Sequence, residues 1–322
     1  MSASQDPRPK IKPGTHPVET TNYIHVTPAV EAMCAQVLRW IRNRMTGGML
    51  MGKPRTGKTK GILHASGVIQ QNYPRLPVER FVCPRYKQAF ARPFYHDLLR
   101  AIGHQAITSG DNGAKLERIC GLLENRARTA GYDCCIFWID EAHRLLDLHY
   151  DWLIDIHNSL QERGIHFIVF LVGQPELMHK RATFLLEEKD QIVGRFMSHA
   201  APFPGITSEE ELAECLKCYD EHSEFPSGSG WPFTRWYYPK AFTQGWRLQQ
   251  ISADLWNEFT THGKRRKMRG PYELQMSYFC RAVEYILKAG EKLDTAKLSI
   301  PEELISEAIR ESGYADIVDA ES

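Results

Sequence analysis

The sequence predicts an α/β fold in which a parallel sheet lies between helices and is followed by a smaller helical lid domain. Short apolar runs alternate with helical periodicity up to Pro202. A glycine-rich turn joins the first apolar run to a helix, and after Pro202 only helical periodicity remains. Repeated strand-then-helix units give a parallel sheet with helices on both faces, which predicts the layered core.

The individual elements follow from the apolar patterns. A Thr27-Pro28 start and helical apolar spacing predict an amphipathic helix that ends near Thr46. In the core, strands are predicted at 49–51, 79–83, 134–139 and 166–172, and helices at 58–72, 91–103, 114–130 and 152–163. Beyond the core, helices are predicted at 209–222, 247–261, 271–289 and 301–312.

These elements divide the chain into four parts. We expect a flexible N-terminal arm at 1–22, an α/β core at 23–204, a helical lid at 205–312 and an acidic tail at 313–322. The arm is expected to be extended because it has four prolines and no apolar period. An insertion at about 223–246, rich in Gly, Pro and aromatic residues, predicts a long loop or hairpin. Its aromatic residues Trp231, Trp236, Tyr237 and Tyr238 could stack on a partner or pack on the lid.

Composition narrows the classes of function. With 40 basic and 39 acidic residues, the formal net charge is +1, so any contact with nucleic acid must come from a local patch. There is no run of 18 apolar residues and no apolar stretch near the N-terminus, which argues against a membrane span or a secretory signal. We therefore expect a cytoplasmic protein without a membrane partner, whose eight cysteines are reduced.

The strongest motif is a phosphate-binding loop, or Walker A motif. The segment from Gly52 to Thr59, GKPRTGKT, matches G-x-x-x-x-G-K-[ST] and lies between a predicted strand and a predicted helix. Lys58 is expected to neutralise phosphate oxygens of ATP, and Thr59 is expected to offer its hydroxyl to Mg²⁺. The predicted nucleotide-binding residues are Gly52, Pro54, Arg55, Thr56, Gly57, Lys58, Thr59, Lys60 and Asp140.

A second motif follows the third predicted strand and has the form of a Walker B motif. The run CCIFWIDE ends in Asp140 and Glu141. Asp140 is expected to hold Mg²⁺ through water, and Glu141 to orient and polarise the attacking water. Together the two motifs resemble those of AAA+ ATPases, so ATP hydrolysis with ATP and Mg²⁺ as cofactors is expected.

Two further residues are candidates for catalysis in the AAA+ class. Gln174 follows the strand at 166–172 and could contact the γ-phosphate or the water, although a turn-capping role is the alternative. Arg195 lies where AAA+ subunits usually offer an arginine finger to a neighbour, with a surface salt bridge as the alternative.

The motif series resembles the TnsC/TniB family of transposition regulators, including those of CRISPR-associated transposons. The segments GKPRTGKT, FWIDEAHRL, FIVFLVGQPEL and IVGRF occur in this order, and the likeness covers roughly residues 25–310. The resemblance implies rings or helical filaments of this chain on double-stranded DNA, which link target-selector proteins to the transposase. Secretion-associated ATPases of the ExeA type and replication loaders or initiators remain alternatives.

The sequence departs from many relatives at one point. Gly270-Pro271-Tyr272-Glu273 stands where they carry Gly-x-x-Arg at the start of a lid helix. The resemblance then implies that the usual sensor 2 arginine is missing and that hydrolysis is slow.

Contacts with DNA are expected between the second strand and the Walker B strand, because that stretch lines the bore of the ring in the resembling family. The candidates are Arg85, Lys87, Arg100, Lys115 and Arg118, each of which could instead lie on an ordinary solvated face. A basic run at 262–269 could bind phosphates or be a solvated loop. Cys215, Cys218 and His222 suggest zinc, but a second ligand pair is missing and a helix with one inward-facing cysteine is the other interpretation.

Overall fold

A computed structural model describes residues 7–265 and 272–314, which fall into two compact units. The core unit comprises Ala32–Pro54 and Lys58–Phe203, and the remaining described residues form a helical unit. The strands are β1 (Gly47–Met51), β2 (Val78–Val82), β3 (Cys134–Asp140), β4 (His166–Gly173) and β5 (Ala200–Pro202). The helices are α1 (Pro17–Thr20), α2 (Pro28–Arg42), α3 (Lys58–Asn72), α4 (Ala91–Ala101), α5 (Asn112–Ala130), α6 (Asp147–Glu162), α7 (Glu176–Leu186), α8 (Asp190–Ile192), α9 (Glu209–Lys217), α10 (Phe233–Tyr237), α11 (Pro239–Thr243), α12 (Ser252–Arg265), α13 (Met276–Gly290) and α14 (Glu302–Glu311).

The core unit is built on a five-stranded parallel sheet. Its strand order is β2-β3-β4-β1-β5, and each neighbouring pair is parallel. β3 and β4 are buried almost throughout, as strands must be when helices cover both faces of a sheet. The parallel sheet predicted from the apolar runs is therefore confirmed.

The helices of the core begin and end close to the predicted positions, except for α6 and for α7 and α8, which were not predicted. α6 begins at Asp147, five residues before the predicted start. α7 was not predicted because its apolar side chains do not all face inward, and Leu186 is 87% exposed. β5 was also missed, since it is only three residues long and none of them is buried. None of the helices in the described ranges has the length and apolar character needed to span a bilayer.

The described part of the N-terminal segment departs from the predicted extended arm. Val18 and His16 are fully buried in the helical unit. His16 caps α1 by accepting a hydrogen bond from the Val18 amide, and Glu19 completes the capping box. The His16 ring also stacks on Trp236, with 4.9 Å between centroids. The prediction of a flexible arm is wrong for residues 16–20, because an N-capped turn and aromatic contacts hold them.

The first part of the aromatic insertion pairs as a hairpin does, with an antiparallel bridge between Glu224 and Pro232, and the rest forms α10 and α11, which were not predicted. Trp231, Trp236, Tyr237 and Tyr238 are each no more than 5% exposed. They pack with residues of α9, α12 and α13 in the apolar core of the helical unit. Of the two interpretations of these side chains, the structure favours packing.

Cys215 on α9 and Cys218, the first residue of the π-helical turn Cys218–His222, are both buried. The helix interpretation placed only one of these cysteines on the inward face. In the described ranges, no group of three His, Cys, Asp or Glu side chains is placed to bind a metal ion. The zinc interpretation of Cys215, Cys218 and His222 therefore gains no support. The basic run at 262–269 lies largely outside the described residues, as do residues 1–6 of the arm and 315–322 of the tail.

Candidate nucleotide-binding site

The carboxyl ends of three adjacent strands bring the predicted catalytic residues together in the core unit. The Walker A loop follows β1, Gln174 follows β4, and Glu141 follows β3. Because β4 lies between β3 and β1, Gln174 stands between the loop and the acidic pair. In open parallel sheets this edge is where ligands bind.

Lys58 begins α3 and is anchored to its own loop. Its Nζ atom donates hydrogen bonds to the Gly52 carbonyl at 2.8 Å and the Lys53 carbonyl at 2.6 Å. Lys58 is only 6% exposed, so its side chain is held in one place. A buried ammonium at the N-terminus of a helix, where the helix dipole favours negative charge, suits a triphosphate.

The remaining loop residues differ in their surroundings. Thr56 is buried, Lys60 is half-buried, and Pro54 and Arg55 are exposed. Gly57 has a φ of +99°, which L side chains rarely adopt, so a glycine is required there. Arg55–Gly57 group with the helical unit, where the Arg55 guanidinium donates to the Tyr278 hydroxyl at 2.8 Å. The Arg55 side chain is thus engaged with α13 in this structure.

The two predicted Mg²⁺ ligands lie next to each other. The Thr59 hydroxyl donates to an Asp140 carboxylate oxygen at 2.8 Å, and Asp140 is 1% exposed. Mg²⁺ prefers oxygen ligands and usually keeps several waters, which fits one hydroxyl and one carboxylate at the edge of a sheet. Thr59 and Asp140 would therefore hold the ion, whose chemistry is to neutralise charge on phosphate oxygens.

Sequence reasoning missed Arg80, which lies on β2. Its guanidinium donates to the same Asp140 oxygen at 2.7 Å. Asp140 is nearly inaccessible to solvent, so a cationic partner offsets the cost of burying its charge. The sequence shows an arginine inside the predicted strand β2. Its contact with Asp140 could be recognised only once the strand order placed β2 next to β3.

Glu141 has an unusual backbone. Its φ is +57°, a left-handed conformation that is uncommon for a residue other than glycine and is often found at functional sites. The carboxylate pairs with Arg144 at 2.9 Å. The ion pair with Arg144 holds the Glu141 carboxylate in place at the end of β3.

His143, also missed, connects Glu141 with Gln174. Its Nε2 atom is 3.2 Å from the Gln174 amide nitrogen and 3.8 Å from a Glu141 carboxylate oxygen. Burial lowers the pKa of His143 below its usual value, and Glu141 opposes that shift only in part. A neutral His143 can accept a hydrogen bond from the Gln174 amide, which fixes the position of that side chain.

Arg195 lies at the opposite end of the sheet from the loop of its own chain. Its carbonyl accepts a hydrogen bond from Thr46, which immediately precedes β1, whereas the loop follows Met51 at the far end of β1. A strand rises about 3.3 Å per residue, so the length of β1 separates them by roughly 13 Å or more. The guanidinium is partly buried and donates to Asn158 at 3.2 Å. The Arg195 side chain therefore lies at the end of β1 that is remote from the Walker A loop of its own chain.

The predicted DNA contacts separate into two groups. Arg85 and Lys87 are exposed on the segment after β2, and Arg100 is exposed beside Asp97 on α4. Lys115, in contrast, is fully buried, and its Nζ atom donates to the carbonyls of Ile107 and Ser109. The prediction that Lys115 contacts DNA is wrong, because its ammonium holds the segment before α5 in place.

Arg118 has a related role. Its guanidinium donates to the carbonyls of Ala106 and Ser109, at 3.2 and 2.6 Å. Both residues were predicted to contact DNA because their stretch lines the bore of the ring in the resembling family. The fold directs both side chains to the backbone of the segment before α5.

The described part of the sensor 2 segment has a structural role. Gly270 and Pro271 lie outside the described residues. Glu273 precedes α13, and its carboxylate accepts a hydrogen bond from the Gly205 amide at 2.7 Å. The residue at the expected arginine position thus contacts backbone within the helical unit.

The chain resembles known proteins in part of its sequence and in its fold. Residues 41–180 match a protein-family model described as AAA domain. Comparison with curated protein sequences gives no match. The fold is similar to the Orc1 protein of Aeropyrum pernix in complex with DNA, at 13% identity and a TM-score of 0.49 over 90% of this chain and 65% of that chain. This chain therefore spans less than two thirds of that Orc1 chain.

Two other solved structures are similar at the same level. Domain III of the replication initiation protein DnaA from Thermotoga maritima has 15% identity and a TM-score of 0.45, over 93% of this chain and 100% of that one. Drosophila ORC bound to DNA has 13% identity and a TM-score of 0.46, over 96% of this chain and 70% of that one.

The family match and the parallel five-stranded sheet confirm the AAA+ fold predicted from the sequence, with additional helices toward the C-terminus. They support an AAA+ ATPase. The matched range contains the Walker A loop, Asp140, Glu141 and Gln174, and ends before Arg195.

Proposed function

We propose that this chain is an ATP-dependent regulator of DNA transposition of the TnsC/TniB type. In this proposal copies of the chain assemble on double-stranded DNA in the cytoplasm and link target-selector proteins to a transposase. The observation that carries the ATPase part is the contact of Thr59 with Asp140 beside the anchored Lys58. The motif series GKPRTGKT, FWIDEAHRL, FIVFLVGQPEL and IVGRF supports the transposition part.

In this proposal each of the core residues has a separate role in hydrolysis. The loop N–H groups and Lys58 hold the phosphates, and Thr59 with Asp140 would hold Mg²⁺, which neutralises phosphate charge. Glu141 accepts a hydrogen bond from the attacking water and takes its proton. His143 fixes Gln174, which contacts the γ-phosphate or the same water.

Arg195 acts on the nucleotide of a neighbouring copy in this proposal. Its distance along β1 from its own loop supports a role in trans. An arginine supplied by a neighbour stabilises charge that develops during phosphoryl transfer, so hydrolysis would depend on assembly. The hydrogen bond from Arg195 to Asn158 would position the guanidinium before the neighbour arrives.

Contacts with DNA are assigned to the exposed residues of the predicted set. Arg85 and Lys87 are exposed on the segment after β2. Arg100 is exposed on α4. Repeated around an assembly, such side chains would follow a phosphate backbone without reading its sequence. Lys115 and Arg118 are not included.

Electron microscopy of the purified chain tests the proposal. With a non-hydrolysable ATP analogue, Mg²⁺ and duplex DNA, we expect rings or helical filaments threaded by the duplex. The variant Arg85→Glu with Lys87→Glu should assemble less on DNA, and the difference from wild type should shrink at higher salt, because salt weakens the wild-type phosphate contacts that the variant lacks. Assemblies that form without binding the duplex, or a chain that stays monomeric with the analogue, would contradict the proposal.

A mixing experiment tests the role of Arg195. We expect Arg195→Ala and Lys58→Ala each to be inactive alone, because one lacks the finger and the other lacks the phosphate ligand. Mixed in equal amounts, they should recover about a quarter of wild-type turnover per chain, since a quarter of random interfaces pair an intact site with an intact finger. A mixture as inactive as its components would show that Arg195 does not act in trans.

A further inference from the structure

A cavity of about 450 Å³ lies beside the aromatic insertion in the helical unit. Its walls include Pro7, Arg8, Trp231, Arg235, Pro239 and Lys240. It belongs to neither the nucleotide site nor the proposed DNA contacts, and all its lining residues are in one unit. The cavity is therefore a separate feature of the fold.

Three cations surround this cavity, and two of them have no acidic partner. Arg8 pairs with Glu291 at 3.0 Å. Arg235 lies over the Trp231 ring at 4.3 Å and donates to the Gly230 carbonyl. Within the described ranges, neither Arg235 nor Lys240 forms an ion pair. The Asp294 carboxylate accepts hydrogen bonds from the Lys240 and Ala241 amides, so it is directed at the backbone of α11 and forms no ion pair with the Lys240 ammonium.

The floor of the cavity is apolar and rigid. Trp231 is 4% exposed, and its indole nitrogen is buried without a hydrogen-bond partner among the described residues. Pro7 and Pro239 add apolar surface with little conformational freedom. Apolar walls with a few fixed polar groups are typical of ligand sites that are formed before the ligand binds.

We propose that this cavity is a docking site for an acidic peptide segment of a partner protein. Carboxylates of the segment pair with Arg235 and Lys240, and its apolar side chains pack on the accessible surface of Pro7 and Pro239. Charge complementarity of this kind sets specificity and speeds association. The site does not require nucleotide, so it goes beyond the proposed ATPase function.

A peptide fits this site better than duplex DNA does. The cavity is concave and of side-chain dimensions, whereas a duplex presents a convex surface with a groove about 12 Å wide. Glu291 stands at the edge of the cavity, paired with Arg8, and would repel a continuous row of phosphates. An acidic segment can place its carboxylates selectively and avoid Glu291.

Fluorescence anisotropy with the full chain tests this proposal. The probe is a fluorescein-labelled short peptide of alternating Glu and Leu. We expect the double variant Arg235→Glu with Lys240→Glu to bind it at least about tenfold more weakly, because two attractive pairs become repulsive. The same double variant should gain binding of a matched peptide of alternating Lys and Leu, which a misfolded chain would not do.

The matched control is Lys288→Glu with Arg310→Glu, which changes net charge equally. Both residues are exposed in the helical unit and lie outside the cavity. It should bind the Glu-Leu peptide within about twofold of wild type. Equal weakening in both double variants, or no binding to wild type, would overturn the proposal. The proposal would also be overturned if a duplex DNA probe bound wild type more tightly than the peptide and only the cavity variant weakened that DNA binding.

Discussion

Replacing Glu141 with Gln should slow ATP hydrolysis by about 10²–10³-fold while leaving ATP binding intact. The amide keeps the size of the carboxylate and can still accept a hydrogen bond from Arg144, but it cannot take a proton from water. The variant should therefore trap ATP-bound assemblies. Phosphate release under single-turnover conditions measures the step directly, and fluorescent ATP binding measures the affinity.

Glu188→Gln is the matched control for this prediction. Glu188 also has a left-handed backbone, with a φ of +56°, and it is exposed between α7 and α8. Since it lies outside the site, its replacement should leave turnover unchanged. If Glu141→Gln hydrolysed ATP within about twofold of wild type, Glu141 would lose its assigned role.

Replacing Lys58 with Ala should remove both ATP binding and turnover. The ammonium is held by the Gly52 and Lys53 carbonyls at the start of α3. We expect affinity for ATP to fall at least about tenfold and turnover to fall by about 10²–10³-fold, because charge on the phosphates loses its nearest cation. Equilibrium binding of a fluorescent ATP analogue checks the first effect.

Lys288→Ala serves as the control, since Lys288 is an exposed lysine on α13. The loss of Lys58 also leaves two carbonyls without their partner, so thermal melting should accompany the binding measurement. A Lys58→Ala chain that melts like wild type and still binds ATP normally would contradict the assignment of the loop.

The sequence alone predicted the parts of the site that depend on local pattern. The Walker A loop, the acidic pair after β3 and Gln174 after β4 each follow an apolar strand, and parallel strands end at one edge of a sheet. The prediction therefore needed only the alternation of strands and helices. Contact between Thr59 and Asp140, which are distant in sequence, follows from that topology.

Interactions that depend on packing could not be predicted from the sequence. Arg80 meets Asp140 only because β2 pairs with β3, and His143 meets Gln174 only because β4 lies next to β3. Lys115 appeared as one member of a basic stretch, yet the turn before α5 provides carbonyls that bury it. The same limit applies to residues 16–20, whose aromatic neighbours are far away in the sequence.

The central claim is that the loop at the start of α3 binds a triphosphate together with Mg²⁺. Titration calorimetry of the wild-type chain with ATP, with and without Mg²⁺, tests it most directly. We expect one binding site per chain and tighter binding with Mg²⁺, because Thr59 and Asp140 supply its oxygen ligands. Absence of binding, or an affinity that neither Mg²⁺ nor Lys58→Ala changes, would contradict the claim.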